Sequence, residues 1–101
     1  HIRVFDVNSD GTIGNGRLFI DLTGEDPGYP DGMKVDVEGN VYCSGPGGVH
    51  AMDASGNHLG RIRVPEIVSN MAWGDEDWRS LYITARTSVY RIRLKIPGIP
   101  V

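Results

Sequence analysis

The stretch Val41-Tyr42-Cys43-Ser44, Gly45-Pro46-Gly47-Gly48, Val49-His50-Ala51-Met52-Asp53 decides the fold. Two short runs of mainly apolar residues flank a tetrapeptide of Gly and Pro, the signature of two strands joined by a tight turn. That tetrapeptide lacks the Lys-Ser/Thr of a phosphate loop and precedes no helical pattern, so it is read as a β-turn and not as an anion cradle. Working outward, Met33–Val37 and Leu59–Val64 are set off by Glu38-Gly39-Asn40 and Ala54-Ser55-Gly56-Asn57. Upstream lie Ile2–Val7 and Arg17–Leu22; downstream lie Asn70–Trp73, Leu81–Thr84 and Val89–Leu94. No apolar stripe at helical spacing lasts ten residues, because Gly or Pro interrupts every window. The chain reads as all-β with nine short strands.

These strands repeat. Met33 to Met71 is 38 residues, Tyr42 to Tyr82 is 40 and Val49 to Val89 is 40. A period near 40 with four short strands per unit marks the blades of a propeller. The strand count divides the chain into the end of one blade (1–22), a complete blade (30–65) and three strands of another (68–95), about two and a quarter blades in all. Each blade buries its apolar faces only against its neighbours, so such a stretch is expected to show open edges and to be unstable alone. The chain begins with His1 inside an apolar alternation, which fits a piece of a longer propeller.

Composition narrows the function. Ten Lys and Arg against 13 Asp and Glu give a net charge of −3, with no basic block to neutralise phosphates, so nucleic acid is not an expected partner. No apolar run approaches the roughly 18–20 residues of a membrane helix. The lone Cys43 and the absence of a signal-peptide pattern make the cytoplasm the default location. The 14 glycines are accounted for by the blade turns.

Several residues invite chemistry. Asp6-Val7-Asn8-Ser9-Asp10-Gly11-Thr12-Ile13 fits the first eight positions of a calcium loop, but Arg17 stands where a bidentate Glu should close it and no helices flank it. It is read as a turn. His1, His50 and His58 do not cluster in sequence, and Cys43 has no histidine neighbour, so neither a zinc site nor a thiol nucleophile is expected. Asp36 and Glu38 read as hairpin and surface charges, Trp73 and Trp78 as packing, and Arg91, Arg93 and Lys95 as a solvated strand face. Asp31 differs. Pro30 fixes an extended approach, Gly32 permits close backbone contact, and a carboxylate at the start of an innermost strand faces a propeller's central channel. There it either holds a metal or caps backbone amides. Asn70 occupies the equivalent place one repeat on, as a cation ligand or as a tie between strand ends.

The run Pro30-Asp31-Gly32-Met33 with Asp36 and Glu38-Gly39-Asn40, then Gly45-Pro46-Gly47-Gly48-Val49, then Asn70 and Gly74 ahead of Leu81-Tyr82-Ile83-Thr84, closely resembles the C-terminal part of the SMP-30/gluconolactonase/luciferin-regenerating-enzyme family. The ending Ser88-Val89-Tyr90-Arg91-Ile92-Arg93-Leu94 is similar to that family's last blade. The resemblance implies a six-bladed propeller with one divalent cation in its channel, usually Ca2+, with Mg2+, Mn2+ and Zn2+ as alternatives. It implies hydrolysis of sugar lactones such as gluconolactone. It makes Asp31 a metal ligand and candidate catalytic residue, and leaves Asn70 matching a channel-facing position. The family's other ligands, a Glu and an Asn from earlier blades, have no counterpart here. The expected partners are therefore a small lactone and either the remaining blades or further copies of this chain. The competing expectation is a catalytically silent β-module that works only when complemented; a strictosidine-synthase-like lyase is disfavoured by the Pro-Asp-Gly-Met stretch.

Overall fold

The computed structural model describes all residues, His1–Val101. It holds nine strands: β1 (Ile2–Val7), β2 (Ile13–Ile20), β3 (Met33–Val35), β4 (Val41–Gly45), β5 (Gly48–Met52), β6 (His58–Arg63), β7 (Val68–Gly74), β8 (Ser80–Ala85) and β9 (Val89–Arg93). They form three antiparallel meanders, β1-β2, β3-β4-β5-β6 and β7-β8-β9, each strand pairing with its sequence neighbour. The all-β expectation holds.

Local chemistry explains the turns. Gly45 pairs with Gly48 across a two-residue loop in which Pro46 precedes Gly47 at φ +77°, the Pro-Gly order of a type II turn. The first hairpin is closed by the Asn8 amide donating to the Thr12 carbonyl (2.7 Å). Its carboxylates are taken locally: Asp10 accepts from Thr12 and Asp6 pairs with Arg17 at 3.3 Å. The calcium-like loop is thus a hairpin turn, and its second strand starts at Ile13, four residues before the expected Arg17, because the tight turn brings Ile13 and Gly14 into register with Val7 and Asp6.

The central sheet is covered on both sides, and its side chains alternate accordingly. Cys43 and Met52 join Leu22 in a cluster toward the first sheet, with Ile2, Phe19, Ile20 and Val41 around it. Tyr42 and Val49 join Val64, Val68, Met71, Leu81 and Ile83 toward the third sheet. Cys43 is free and buried, and burial pushes its thiol pKa up, away from the reactive thiolate. The outer faces have no such cover. Val7, Ile13 and Leu18 on the first sheet are 76%, 61% and 57% exposed, and only 18 of 101 residues are buried.

The end of the chain ties two sheets together. Asp36 forms an isolated antiparallel bridge with Gly98, and the Val37 amide donates to the Pro97 carbonyl (3.0 Å). Gly98 lies flat on the Trp73 indole, where a Cβ would fall 1.9 Å from Cγ. Trp73 in turn donates through Nε1 to the Val35 carbonyl (3.1 Å) and meets the Tyr42 ring edge-on at 5.2 Å.

Two sequence expectations are corrected here. Asp36 is not a surface charge. β3 stops at Val35, the backbone folds back over 36–40, and the Asp36 carboxylate turns inward at 1% exposure. It accepts from the Glu38 and Asn40 amides (2.9 and 3.0 Å), from Asn40 Nδ2 (2.9 Å) and from the Tyr42 hydroxyl (2.9 Å). Nor are His50 and His58 apart. The β5-β6 hairpin folds His58 back until its Nε2 lies 2.9 Å from His50 Nδ1.

Candidate active site

The first strands of the second and third sheets begin side by side. The Gly32 amide donates to the Ser69 carbonyl (2.8 Å), and Gly32 fits so closely to Asn70 that a Cβ would sit 2.2 Å from its Oδ1. This contact is why glycine follows Asp31, and it sets Asp31 and Asn70 at one junction between blades. Asp31 is held through its backbone: its amide donates to Ser44 Oγ (2.8 Å), and Ser44 Oγ donates to the Tyr29 carbonyl (3.2 Å). Ser44 is fully buried and its own amide donates to the Gly32 carbonyl (3.0 Å). Sequence reading missed it. Its signal is a lone hydroxyl at the end of the apolar run Val41-Tyr42-Cys43.

With the backbone fixed in this way, the Asp31 side chain is exposed, and no hydrogen bond or ion pair engages its carboxylate. The backbone-capping alternative for Asp31 is therefore not what the structure shows. Asp31 lines a cleft of about 190 Å³ with Tyr29, Ile67, Val68, Ser69, Ala85 and Arg86. Asn70 behaves differently: its Oδ1 accepts from the adjacent Met71 amide (2.8 Å), and its backbone carbonyl accepts from Thr84 Oγ1 on the paired strand (3.2 Å). The chain contains no group of three or more His, Cys, Asp or Glu residues arranged to hold a metal ion.

The sequence profile of the SMP-30/gluconolactonase/LRE-like region matches residues 1–87. The chain belongs to this family. A gluconolactonase of Zymomonas mobilis is 37% identical over 73 residues, covering 70% of this chain and 20% of that protein. A pentonolactonase of Haloferax volcanii is 40% identical over 77 residues, covering 73% of this chain and 26% of that protein. Among solved structures, a gluconolactonase of Xanthomonas campestris superposes with a TM-score of 0.75 at 30% identity, over 96% of this chain and 30% of the other. This SMP-30/gluconolactonase-like chain thus spans a fifth to a quarter of the curated relatives' length, and its three antiparallel sheets share the fold of a solved member.

On the opposite face of the central sheet, toward the first sheet, His50 is 8% exposed. Burial lowers its pKa below the ordinary 6.5, opposed by the Pro46 carbonyl and assisted by the nearby His58 and Arg61. A histidine whose folded pKa is depressed leaves the unfolded chain binding more protons below pH 6.5, so its contribution to stability declines as pH falls through that window. Urea unfolding of the chain at pH 7.5 and 5.5 is expected to give a lower midpoint at 5.5, with His50→Gln reducing the difference. An equal difference in that variant would place the effect elsewhere.

Proposed function

We propose that this chain supplies the Asp31 wall of a metal-dependent lactonase centre that opens sugar lactones of the gluconolactone type. The observation that carries the reading is an exposed carboxylate, free of protein partners, on a backbone locked by Ser44 at the junction of two blades. A carboxylate and a nearby amide oxygen are hard donors, the kind Ca2+ takes. Asp31 is the ligand this chain would contribute, with Asn70 as a second if its Oδ1 also reached the ion. The remaining ligands would come from further blades or further copies.

When bound, such a cation would polarise the lactone carbonyl and offset the negative charge gathering on its oxygen. The chain's own part is positional. Gly32 and Ser44 set where Asp31 stands, and the carboxylate orients the attacking water and takes its proton. Tyr29, Ser69 and Arg86, around the same cleft, offer hydroxyls and a guanidinium to the polar ring of a sugar lactone.

The uncovered apolar faces of the outer sheets favour a second reading, in which the chain alone is a silent β-module that needs neighbouring blades. Both readings meet in one experiment: proton release from δ-gluconolactone, with mass measured in solution and Ca2+ added and then chelated. A propeller carrying this chain is expected to hydrolyse the lactone and to lose activity on chelation, while the 101-residue monomer stays inactive. Hydrolysis unaffected by chelation would overturn the metal dependence. Activity in the monomer would overturn the need for further blades.

A further inference from the structure

The Asp31 centre uses none of the histidines, yet two of them, His50 and His58, meet nitrogen to nitrogen. His50 Nε2 lies 2.8 Å from the Pro46 carbonyl, which can only accept, so Nε2 carries the proton and Nδ1 presents a lone pair. That lone pair points at His58 Nε2, 2.9 Å away, with the ring planes inclined at 49°. A ring nitrogen aimed at a ligand while its partner N–H is held by a backbone carbonyl is the arrangement that fixes metal-binding histidines.

The structure assigns to His50 and His58 a second metal site, for a borderline divalent ion such as Zn2+, Co2+ or Ni2+, separate from the hard-cation centre at Asp31. Metal–nitrogen bonds of roughly 2.0–2.1 Å place two adjacent imidazole nitrogens about 3.0–3.3 Å apart, slightly wider than the spacing seen. His50 is fixed and His58 is exposed, so a metal on the His50 lone pair takes the place of the His58 N–H, and the His58 ring swings aside to present Nε2 from the flank. Moving the His58 proton to Nδ1 frees Nε2 without changing the ring's charge. Burial keeps His50 in the neutral form that a metal requires.

The surroundings suit a cation. The two rings share a cavity of about 280 Å³ with Asp21, Glu25, Asp26 and Arg61. Arg61 is paired with Asp26 at 2.8 Å and Asp21 accepts from Thr23, whereas the Glu25 carboxylate has no protein partner. Three carboxylates thus face one guanidinium. Glu25 sits on the link between β2 and β3, so its recruitment would clip the first sheet to the second. Because no third ligand is already in place, water completes the shell and the affinity belongs to a two-histidine chelate.

Co2+ titration followed by visible absorption tests the assignment on the 101-residue chain, once its β-sheet circular dichroism and a cooperative melt show it folded, or otherwise on a propeller carrying it. The background should carry His1→Ser, since a terminal amine next to an imidazole chelates metals by itself. One equivalent is expected to bind, with His58→Gln weakening it at least tenfold, to about the loss typical of a missing ligand or orienting partner. Asp31→Asn should leave the titration unchanged, and Zn2+ should raise the thermal midpoint only where both histidines are present. Equal Co2+ affinity in His58→Gln overturns the site, as does binding confined to millimolar metal. Should His50→Gln not fold, exposed His58 still decides the matter, because Gln at position 58 keeps an amide donor for the His50 ring nitrogen and melting of that variant shows that its fold is retained.

Discussion

Asp31→Asn is expected to lower lactone hydrolysis by a propeller carrying this chain about 10²-fold or more while leaving the unfolding midpoint nearly unchanged. The two halves of that expectation have separate causes. Activity falls because an amide keeps the size of the side chain but loses the negative charge that would hold a cation and take a proton from water; electrostatic groups at such centres are worth about 10²–10³ in rate. Stability holds because the position of residue 31 depends on its backbone amide and on Ser44, neither of which the substitution touches. Steady-state kinetics on δ-gluconolactone with thermal melts checks both. Undiminished kcat in the Asn variant would remove Asp31 from the mechanism. A fall in activity together with the midpoint would mean a folding defect instead.

Asp36→Ala is expected to destabilise the chain by about 3–5 kcal/mol, the largest stability effect among its polar residues. Four donors converge on one carboxylate, and three of them, two backbone amides and the Tyr42 hydroxyl, stay in place when it is truncated. Each stranded donor costs roughly 1–3 kcal/mol where water cannot reach it, and the partly open turn at Asn40 keeps the sum below the maximum. Desolvation, then the hydrogen bond to Asp36 and its charge, already drive the Tyr42 phenol pKa well above its ordinary range. Tyr42→Phe removes one donor together with its need for a partner and is expected to cost only about 1 kcal/mol. Urea midpoints of the two single variants and the double variant measure the coupling. If Asp36→Ala costs no more than Tyr42→Phe, the turn does not depend on this carboxylate.

The nine strands were legible because this chain spells its turns. Asn-Ser-Asp-Gly, Glu-Gly-Asn, Gly-Pro-Gly-Gly and Ser-Gly-Asn interrupt apolar runs too short for helix, and the 40-residue period shows which runs are equivalent. The fixed backbone course at Asp31 was legible as well, since Pro stands before it and Gly after it. What escaped depends on how the chain doubles back. Val35-Asp36-Val37-Glu38 has the alternation of a half-exposed strand, and only the inward fold at 36–40, set by Asn40 and Tyr42 as donors, reverses the side on which Asp36 lies. His50 and His58 are eight residues apart in the chain, which hides their contact; the register sets His58 opposite Met52, two residues along the strand from His50, so the two rings meet on a diagonal that only the register reveals. Ser44 was missed because burial of one hydroxyl among apolar neighbours leaves no periodic trace.

The bridge between Asp36 and Gly98 also imposes an order on biosynthesis. The central sheet is made almost entirely of residues 33–63, yet the fold-back that follows its first strand is latched by residues 97 and 98. On a ribosome this blade can gather its four strands and the Asp36 turn early, but the bridge to Gly98 is added only after more than thirty further residues have emerged, by which time β7, β8 and β9 are available to pack against it. A nascent chain stalled short of Gly98 would hold its strands together with the Trp73 indole uncovered, so closing the last turn is also what seals the seam between two blades.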